Sequence, residues 1–480
     1  MLLHKILPIF EWLPNYKKSF LAGDVTAGLT VGIMLVPQGM AYAMIAGLPP
    51  VFGLYASLIP QIIYAIMGTS RQLAVGPVAM DSLLVASGLG ALSLSGINEY
   101  ISMAVFLSLF MGAIQLLLGI LRMGFLVNFL SKPVISGFTS GAAIIIGLSQ
   151  LKHLLGIHIV RSNQVHSLLI NAFENISATN IYALSIGIFS ILLIKVIKKF
   201  NKKFSKRFPA ALLLVVIGVG IVYFFELQNV GLKIVGKVPS GLPSFQLPEI
   251  PLNQVSNLTP IALTLALIAF MEAISVSKAI EEKQNDYEID SNQELVALGA
   301  SNMIGSFFQS YPTTGGFSRT AVNEQAGAKT GIAPLISALV VGLTLLFLTP
   351  LFYYLPNSVL AAIIMVAVFG LIDLSYPKEL YKKRKDEFIL LLLTFVITIT
   401  IGIKEGILSG VLISLLIMVY RTSKPHIAVI ARVKNTNYYK NIIRFNTDIE
   451  NRKDILGIRI DSQLFFGNKD YFKKELFKHI

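Results

Sequence analysis

Apolar blocks of about 20 residues follow one another from Leu21 to Tyr420, and two of them are broken by helix-opening sequence. The first break is Val75-Gly76-Pro77-Val78, which opens the largely apolar run Ala79 to Leu94. The second is Thr314-Gly315-Gly316-Phe317-Ser318-Arg319, which opens Thr320 to Ala328. Both segments are too short to cross a bilayer alone. The hydrocarbon core holds no water to satisfy loose backbone, so a broken helix survives there only when it is buried in protein or lines a cavity. Half-helix starts in corresponding halves of a chain bring free N–H groups and positive dipole ends to mid-membrane. That arrangement favours an anion.

Composition supports the same class. Hydrophobic residues make up 54% of the chain and charged residues 14%, with a mean hydropathy of +0.70. Soluble domains carry roughly 25% charged residues. The chain therefore reads as an all-α polytopic membrane protein with the lipid bilayer as a partner. No cysteine is present, which excludes disulfides and thiolate metal sites. The net charge of +14 does not point to nucleic acid. Lys195, Lys198, Lys199, Lys202, Lys203, Lys206 and Arg207 crowd between two spans, and Lys378, Lys382, Lys383, Arg384 and Lys385 between two others. Clusters that hug span ends mark cytoplasmic loops beside anionic lipid. Glu281, Glu282, Asp286, Glu288 and Asp290 read as a solvated acidic loop.

Segments are expected near 24–44, 51–67, 77–94, 100–120, 133–151, 180–197, 209–226, 257–279, 293–310, 318–328, 332–352, 358–374, 386–403 and 405–421. That is about 14 segments, and an even number puts both termini on one side, the cytoplasm by the basic clusters. Residues 1–20 read as an N-terminal interfacial segment. Residues 21–227 and 257–421 form two sets of seven, each with its broken helix third. Seven is odd, so the second set is inverted relative to the first. The Pro- and Gly-containing linker 228–256 falls outside. From 422 to 480 the composition shifts to charged and β-prone residues. Strands are expected at Ile427–Ile430 and Ile455–Ile460, with a helix from Lys469.

Several motifs agree in order with one known family. Val36-Pro-Gln-Gly-Met-Ala-Tyr-Ala43, Ala46-Gly-Leu-Pro-Pro-Val-Phe-Gly-Leu-Tyr55 and Gly68-Thr-Ser-Arg71 resemble the SulP anion transporters, solute carrier family 26. The likeness continues through Gly76-Pro77, Phe138-Thr-Ser-Gly141, Asn302-Met-Ile-Gly305 and Gly316-Phe-Ser-Arg319. Ile455–Asp461 and Leu464–Phe472 resemble the start of that family's cytoplasmic STAS domain, here incomplete. The resemblance implies a seven-plus-seven inverted repeat with core and gate domains. It implies an elevator carrier holding an inorganic anion between half-helices 3 and 10, in a homodimer in the cell (inner) membrane. Sulfate or bicarbonate is the expected anion, moved by H+ or Na+ symport or by exchange. The alternatives are a channel-like member of the family and a dicarboxylate transporter.

The substrate-binding candidates are Gln38, Tyr42, Val75, Gly76, Pro77, Val78, Gly316, Phe317, Ser318 and Arg319. Gln38 lies between Pro37 and Gly39, and its amide can donate to an anion or bond across helices. Arg319 is the candidate fixed cation, with the Ser318 hydroxyl and the N–H groups of Phe317 to Arg319 as donors. Val75 to Val78 are the backbone donors opposite, except Pro77, which has no N–H. Phe317 and Tyr42 are candidates to close the site. Glu272 lies deep in an apolar span, where a carboxylate is functional by default. The family resemblance makes it the ion-coupling residue, for H+ or a Na+ nearby. A permanent ion pair with Arg319 is the other reading. Asp81, one turn into the first half-helix, either caps or pairs within the core or repels anions and tunes selectivity. His153 and His158 lack matched carboxylates and are expected in loops, not in a metal site. No P-loop follows Gly315-Gly316 and no catalytic triad can be assembled, so neither ATP-driven transport nor an enzyme is expected, and no resident cofactor.

Overall fold

The computed structural model describes residues 7–479 apart from 91, 93, 95, 126–130, 160, 161, 163, 205–209, 252, 285, 286, 371, 445–448, 451 and 453. Lys206 and Arg207 of the first basic cluster and Asp286 of the acidic loop lie outside the described residues. The chain divides into two compact units, Met1–Leu408 and Ser409–Ile480.

In the first unit α1 (Ile9–Trp12) precedes the long α2 (Lys18–Ala46). Next come α3 (Pro50–Ala56), α4 (Ile59–Met67), strand β1 (Val75–Gly76), α5 (Ala79–Gly90), α6 (Ile97–Ile120) and α7 (Lys132–Ser149). Short helices α8 (Leu151–Leu154) and α9 (Val165–Glu174) lead to α10 (Ile181–Phe204) and α11 (Ala210–Phe225). The chain continues through α12 (Val255–Gln284), α13 (Ser291–Ser306), strand β2 (Thr314–Gly315), α14 (Phe317–Gln325) and α15 (Ile332–Leu343). Then follow α16 (Asn357–Phe369), α17 (Ser375–Lys383) and α18 (Lys385–Thr400), and α19 (Ile403–Ser423) runs across the boundary from the first unit into the second. Among the described residues, six helical stretches are long and apolar enough to cross a bilayer: Lys18–Ala46, Pro50–Met67, Ile97–Ile120, Lys132–Leu154, Val255–Glu281 and Ile332–Phe352. At 1.5 Å per residue, α5 spans about 18 Å and α14 about 14 Å, well short of a hydrocarbon core of about 30 Å.

Two expected spans are not single helices. The stretch 51–67 breaks between α3 and α4, where Pro60 opens α4 and the Ser57 hydroxyl turns back to donate to Gly53 O at 2.6 Å. The stretch 332–352 leaves α-helical geometry after Leu343, passing through a π turn at Thr344–Leu348 and a 3-10 turn at Thr349–Phe352 that contains Pro350.

Helices cross where side chains are smallest. A Cβ on Gly53 of α3 would collide with the carbonyl oxygen of Gly39 on α2. One on Gly112 of α6 would lie 2.7 Å from Gly299 O on α13, and one on Gly28 of α2 would lie 2.5 Å from Ala333 O on α15. Close backbone approach at small residues is how helices associate in lipid, where no hydrophobic drive separates them from their solvent. Two buried carboxylates fix the loops that lead to and from the half-helices. Glu294 on α13 accepts from Tyr64 Oη at 2.6 Å, Thr69 N–H at 2.8 Å, Thr69 Oγ1 at 2.7 Å and Ser70 N–H at 3.2 Å, holding the turn before β1. Asp24 on α2 accepts from Lys329 N–H at 2.7 Å, Thr330 N–H at 3.1 Å and Thr330 Oγ1 at 2.7 Å, holding the turn after α14.

In the second unit β3 (Ile427–Val433) pairs antiparallel with β4 (Tyr439–Asn441), β5 (Ile449–Glu450) and β6 (Gly457–Ile460). Helix α20 (Lys469–Phe477) follows. The expected strands and helix are present. β4 and β5 are additional: they are short and polar, and the turn at Asn435, in left-handed conformation, folds β4 back onto β3.

The glycine crossing yields a stability prediction. Gly53→Ala should lower the melting temperature of the detergent-purified protein, the collision with Gly39 costing about 1–3 kcal/mol. Gly220→Ala in α11, where a Cβ meets nothing within 4 Å, should leave it unchanged or raised. A thermal melt of both variants checks this.

Candidate functional site

The two half-helix starts are tied to each other. β1 and β2 pair antiparallel, Val75 opposite Gly315 and Gly76 opposite Thr314. Gly316 N–H donates to Ala74 O at 3.1 Å, and Ala74 N–H donates to Thr320 Oγ1 of α14 at 3.0 Å. The surroundings secure this pair. Asn302 Nδ2 donates to Thr313 O at 3.0 Å while Thr313 N–H donates to Asn302 Oδ1 at 2.8 Å. Thr314 Oγ1 donates to Ala269 O of α12 at 2.6 Å, one turn before Glu272. Asn323 Nδ2 of α14 donates to Gln72 O at 2.8 Å.

Both helices point their N-termini at this junction. The ladder of α5 begins with Ser82 N–H donating to Val78 O at 3.0 Å, so the N–H groups of Ala79, Met80 and Asp81 precede it. That of α14 begins with Thr320 N–H donating to Gly316 O at 2.9 Å, which leaves Phe317, Ser318 and Arg319 ahead of it. Val75 and Gly76 are drawn into the strand pair, so the free amides of the first half-helix sit later than the 75–78 stretch suggests.

Arg319 is only 1% exposed. Its Nη1 donates to Pro77 O at 2.7 Å, while Nε and Nη2 are buried with no partner. A side chain of one half thus caps the opening of the other. Gly316 leaves room for the guanidinium: a Cβ there would come within 2.8 Å of Cζ and Nη2. A Cβ on Gly76 would stand 3.5 Å from Nη2. Glu272 on α12 is half-buried and its Oε2 has no partner. No Arg319 nitrogen lies within 4.0 Å of that carboxylate, so the direct ion pair is not formed in this structure. Gln38 is buried and its Oε1 is also unpartnered, so it does not bridge helices.

The sequence-predicted residues thus fall into two groups. Arg319, Gly316, Gly76, Pro77 and Val75 converge at the junction, and Tyr42 is buried. Val78 is half-buried. Phe317, 45% exposed, and Ser318 are not enclosed, because the helical period of α14 turns Arg319, Thr320 and Asn323 inward instead. Sequence reasoning passed over Tyr311, fully buried with its hydroxyl 3.1 Å from Ser82 Oγ, and the clamping role of Asn302. Asn302 stood inside a recognised motif. Tyr311 sits in a connection that carries no periodic signal.

Residues 21–394 match the sulfate permease family. Sulfate transporter 4.1, chloroplastic, of Arabidopsis thaliana is 40% identical over 476 residues, which cover 98% of this chain and 69% of that protein. High affinity sulfate transporter 2 of Stylosanthes hamata is 37% identical, covering 99% of this chain and 73% of that one. The solved structure of SLC26A9 superposes with a TM-score of 0.92 at 29% identity, over 100% of this chain and 78% of that one. The chain belongs to the sulfate permease family, whose members are transporters rather than enzymes.

Proposed function

We propose that this protein is a secondary active carrier of inorganic anions, with sulfate as the first candidate substrate and H+ or Na+ as the coupling ion. The choice of sulfate over bicarbonate rests on the two relatives named above, which are sulfate transporters of plants. The observation that carries the site is the buried guanidinium of Arg319, with two unpartnered nitrogens, at the strand pair where two helix N-termini meet. Buried donors without acceptors are costly, and an anion supplies the acceptors. The free N–H groups of α5 and α14 add to the same field. Gln38 and Tyr42 line the approach from α2.

The scaffold we infer is 14 membrane segments in two inverted sets of seven, both termini in the cytoplasm of a cell whose inner membrane holds the protein. Support comes from how contacts exchange when each segment is replaced by the one seven places on. The contact of α2 with α15 becomes that of α12 with α6, and α6 with α13 becomes α15 with α4. The contact of α7 with α18 becomes α16 with α10, while β1 with β2 maps onto itself. All of these contacts occur, as a two-fold repeat requires. In this reading α2 to α6 with α12 to α15 form a core that carries the anion past a gate built from the remaining spans. The working unit is a homodimer, and 422–480 is the start of a cytoplasmic STAS domain. Glu272 is the coupling group, since an intramembrane carboxylate with an unpartnered oxygen calls for a proton or cation.

Two outcomes follow. Arg319→Ala should reduce labelled-sulfate uptake into proteoliposomes about 30-fold or more, the loss expected for a buried charged contact of about 2–5 kcal/mol. Uptake at the wild-type rate by a variant of normal melting temperature contradicts the site. Glu272→Gln should abolish concentrative uptake under an inward pH or Na+ gradient while sulfate counterflow persists, because Arg319 and the helix ends remain. Full concentrative uptake contradicts the coupling role.

A further inference from the structure

Helices α17 and α18 meet at a basic corner formed by Lys378, Lys382, Lys383, Arg384 and Lys385. Arg384, at φ −146° and ψ 81°, is not helical, so the two helices are not one rod. The Tyr381 ring folds back edge-on to Phe388, with 5.3 Å between centroids. Part of the charge here is already matched. Glu379 pairs with Lys383 at 2.8 Å, and Glu387 with Arg384 at 2.7 Å. Asp373 accepts from the N–H groups of Ser375 and Tyr376, at 2.8 and 3.4 Å. Asp386 is exposed at the start of α18. Lys132 of α7 stands over the Tyr376 ring at 4.6 Å. Lys378, Lys382 and Lys385 are exposed, and their ammonium groups make no hydrogen bond or ion pair among the described residues. Lys378 and Lys382 are one turn apart, about 6 Å along α17, and Lys385 follows Lys382 within about 11 Å of chain.

Exposed apolar side chains continue from these lysines. On α17, Leu374 and Tyr381 share the outer face with Lys378 and Lys382. On α18, Ile389, Leu392, Leu393 and Val396 are exposed at the helical period that starts from Lys385, while Leu390, Leu391, Thr394 and Thr398 turn inward. From Lys385 to Val396 this stripe rises about 16 Å, close to one leaflet of a hydrocarbon core about 30 Å thick. An apolar track one leaflet deep that ends in unpaired ammonium groups has the dimensions and the charge of a phospholipid. A soluble anion would use the lysines and leave the track empty. A second copy on a two-fold axis would bring its own three lysines to the same face, like charge against like.

We propose that this corner binds one anionic phospholipid, its phosphate held by Lys378, Lys382 and Lys385 and an acyl chain laid along Ile389, Leu392 and Val396. Tyr381 then sits at headgroup level, where a ring with a polar tip is favoured. The proposed topology puts this corner on the cytoplasmic side, where the leaflet is anionic. The site does not depend on the anion reading of the half-helix junction.

The test uses the purified full chain in detergent, titrated with phosphatidylglycerol, with phosphatidylcholine of the same acyl chains, and with inorganic phosphate. Melting temperature and lipid retained in native mass spectrometry are read. Phosphatidylglycerol should raise the melting temperature to a plateau and stay bound at one per chain; the other two should do neither. Lys378→Gln, Lys382→Gln and Lys385→Gln together should melt like wild type without lipid, because the three ammonium groups bond nothing in the protein. That variant should need about 100-fold more phosphatidylglycerol, from about fivefold for each lysine lost beside anionic lipid. Lys378→Arg, Lys382→Arg and Lys385→Arg together keep the charge and should keep the response. Ile389→Asn should weaken retention with every charge in place. A wild-type response in the glutamine variant overturns the proposal, as does an equal response to phosphatidylcholine. An equal response to inorganic phosphate reduces the site to an ion on surface lysines and overturns it. Wild type indifferent to phosphatidylglycerol, with a changed oligomeric state in the glutamine variant, assigns the face to a second copy and overturns it too.

Discussion

A pair of two-residue strands holds the rest of this structure in place. Helices α5 and α14 begin inside the protein, with backbone that a bilayer cannot satisfy. β1 and β2 meet that demand by pairing with each other, one from each half of the chain. Each half therefore completes the other. The link from Arg319 to Pro77 O extends the same logic, since Pro77 has no N–H to offer but its carbonyl holds a cation from the opposite half. Asn302, Thr314 and Asn323 then brace the pair against α12, α13 and the turn at Gln72.

Around that junction the fold treats buried charge in two ways. Asp24 and Glu294 are locked by several donors and hold turns at the ends of the half-helices. Arg319, Asp81, Glu272 and Gln38 each keep at least one buried atom without a partner. Buried polar groups are overwhelmingly bonded in native proteins, so a group of orphans drawn from four helices is where a ligand or a proton is to be sought. The locked carboxylates sit on helices and hold turns that only have to stay in place. The orphans sit where, in the proposed mechanism, something arrives and departs.

Much of this was legible in the chain. The broken blocks at Val75–Val78 and Thr314–Arg319 pointed to the two short helices, because Gly and Pro interrupt an otherwise continuous apolar pattern. Arg319 and Glu272 stood out as charges in apolar surroundings. The pairing of β1 with β2 was not legible, because a two-residue strand has no periodicity and its partner lies some 240 residues away. For the same reason the 75–78 stretch read as free amides when half of it is paired. The exposure of Phe317 and Ser318 depends on the rotation of α14, which is set by Asn323 and Thr320 bonding to the segment before β1. Glu294 lies at the start of an expected span, and its pairing with Tyr64 and Thr69, more than 220 residues earlier in the chain, leaves no local signal.

The account stands on the claim that an anion occupies the junction of the two half-helix starts. Selenate, a sulfate analogue with a strong anomalous signal, locates it directly by diffraction. A selenium peak between the N-termini of α5 and α14, with its oxygens in hydrogen-bond reach of Arg319 Nε or Nη2, is the predicted result. A fully occupied peak elsewhere in the membrane unit, with those two nitrogens still unpartnered, would contradict it.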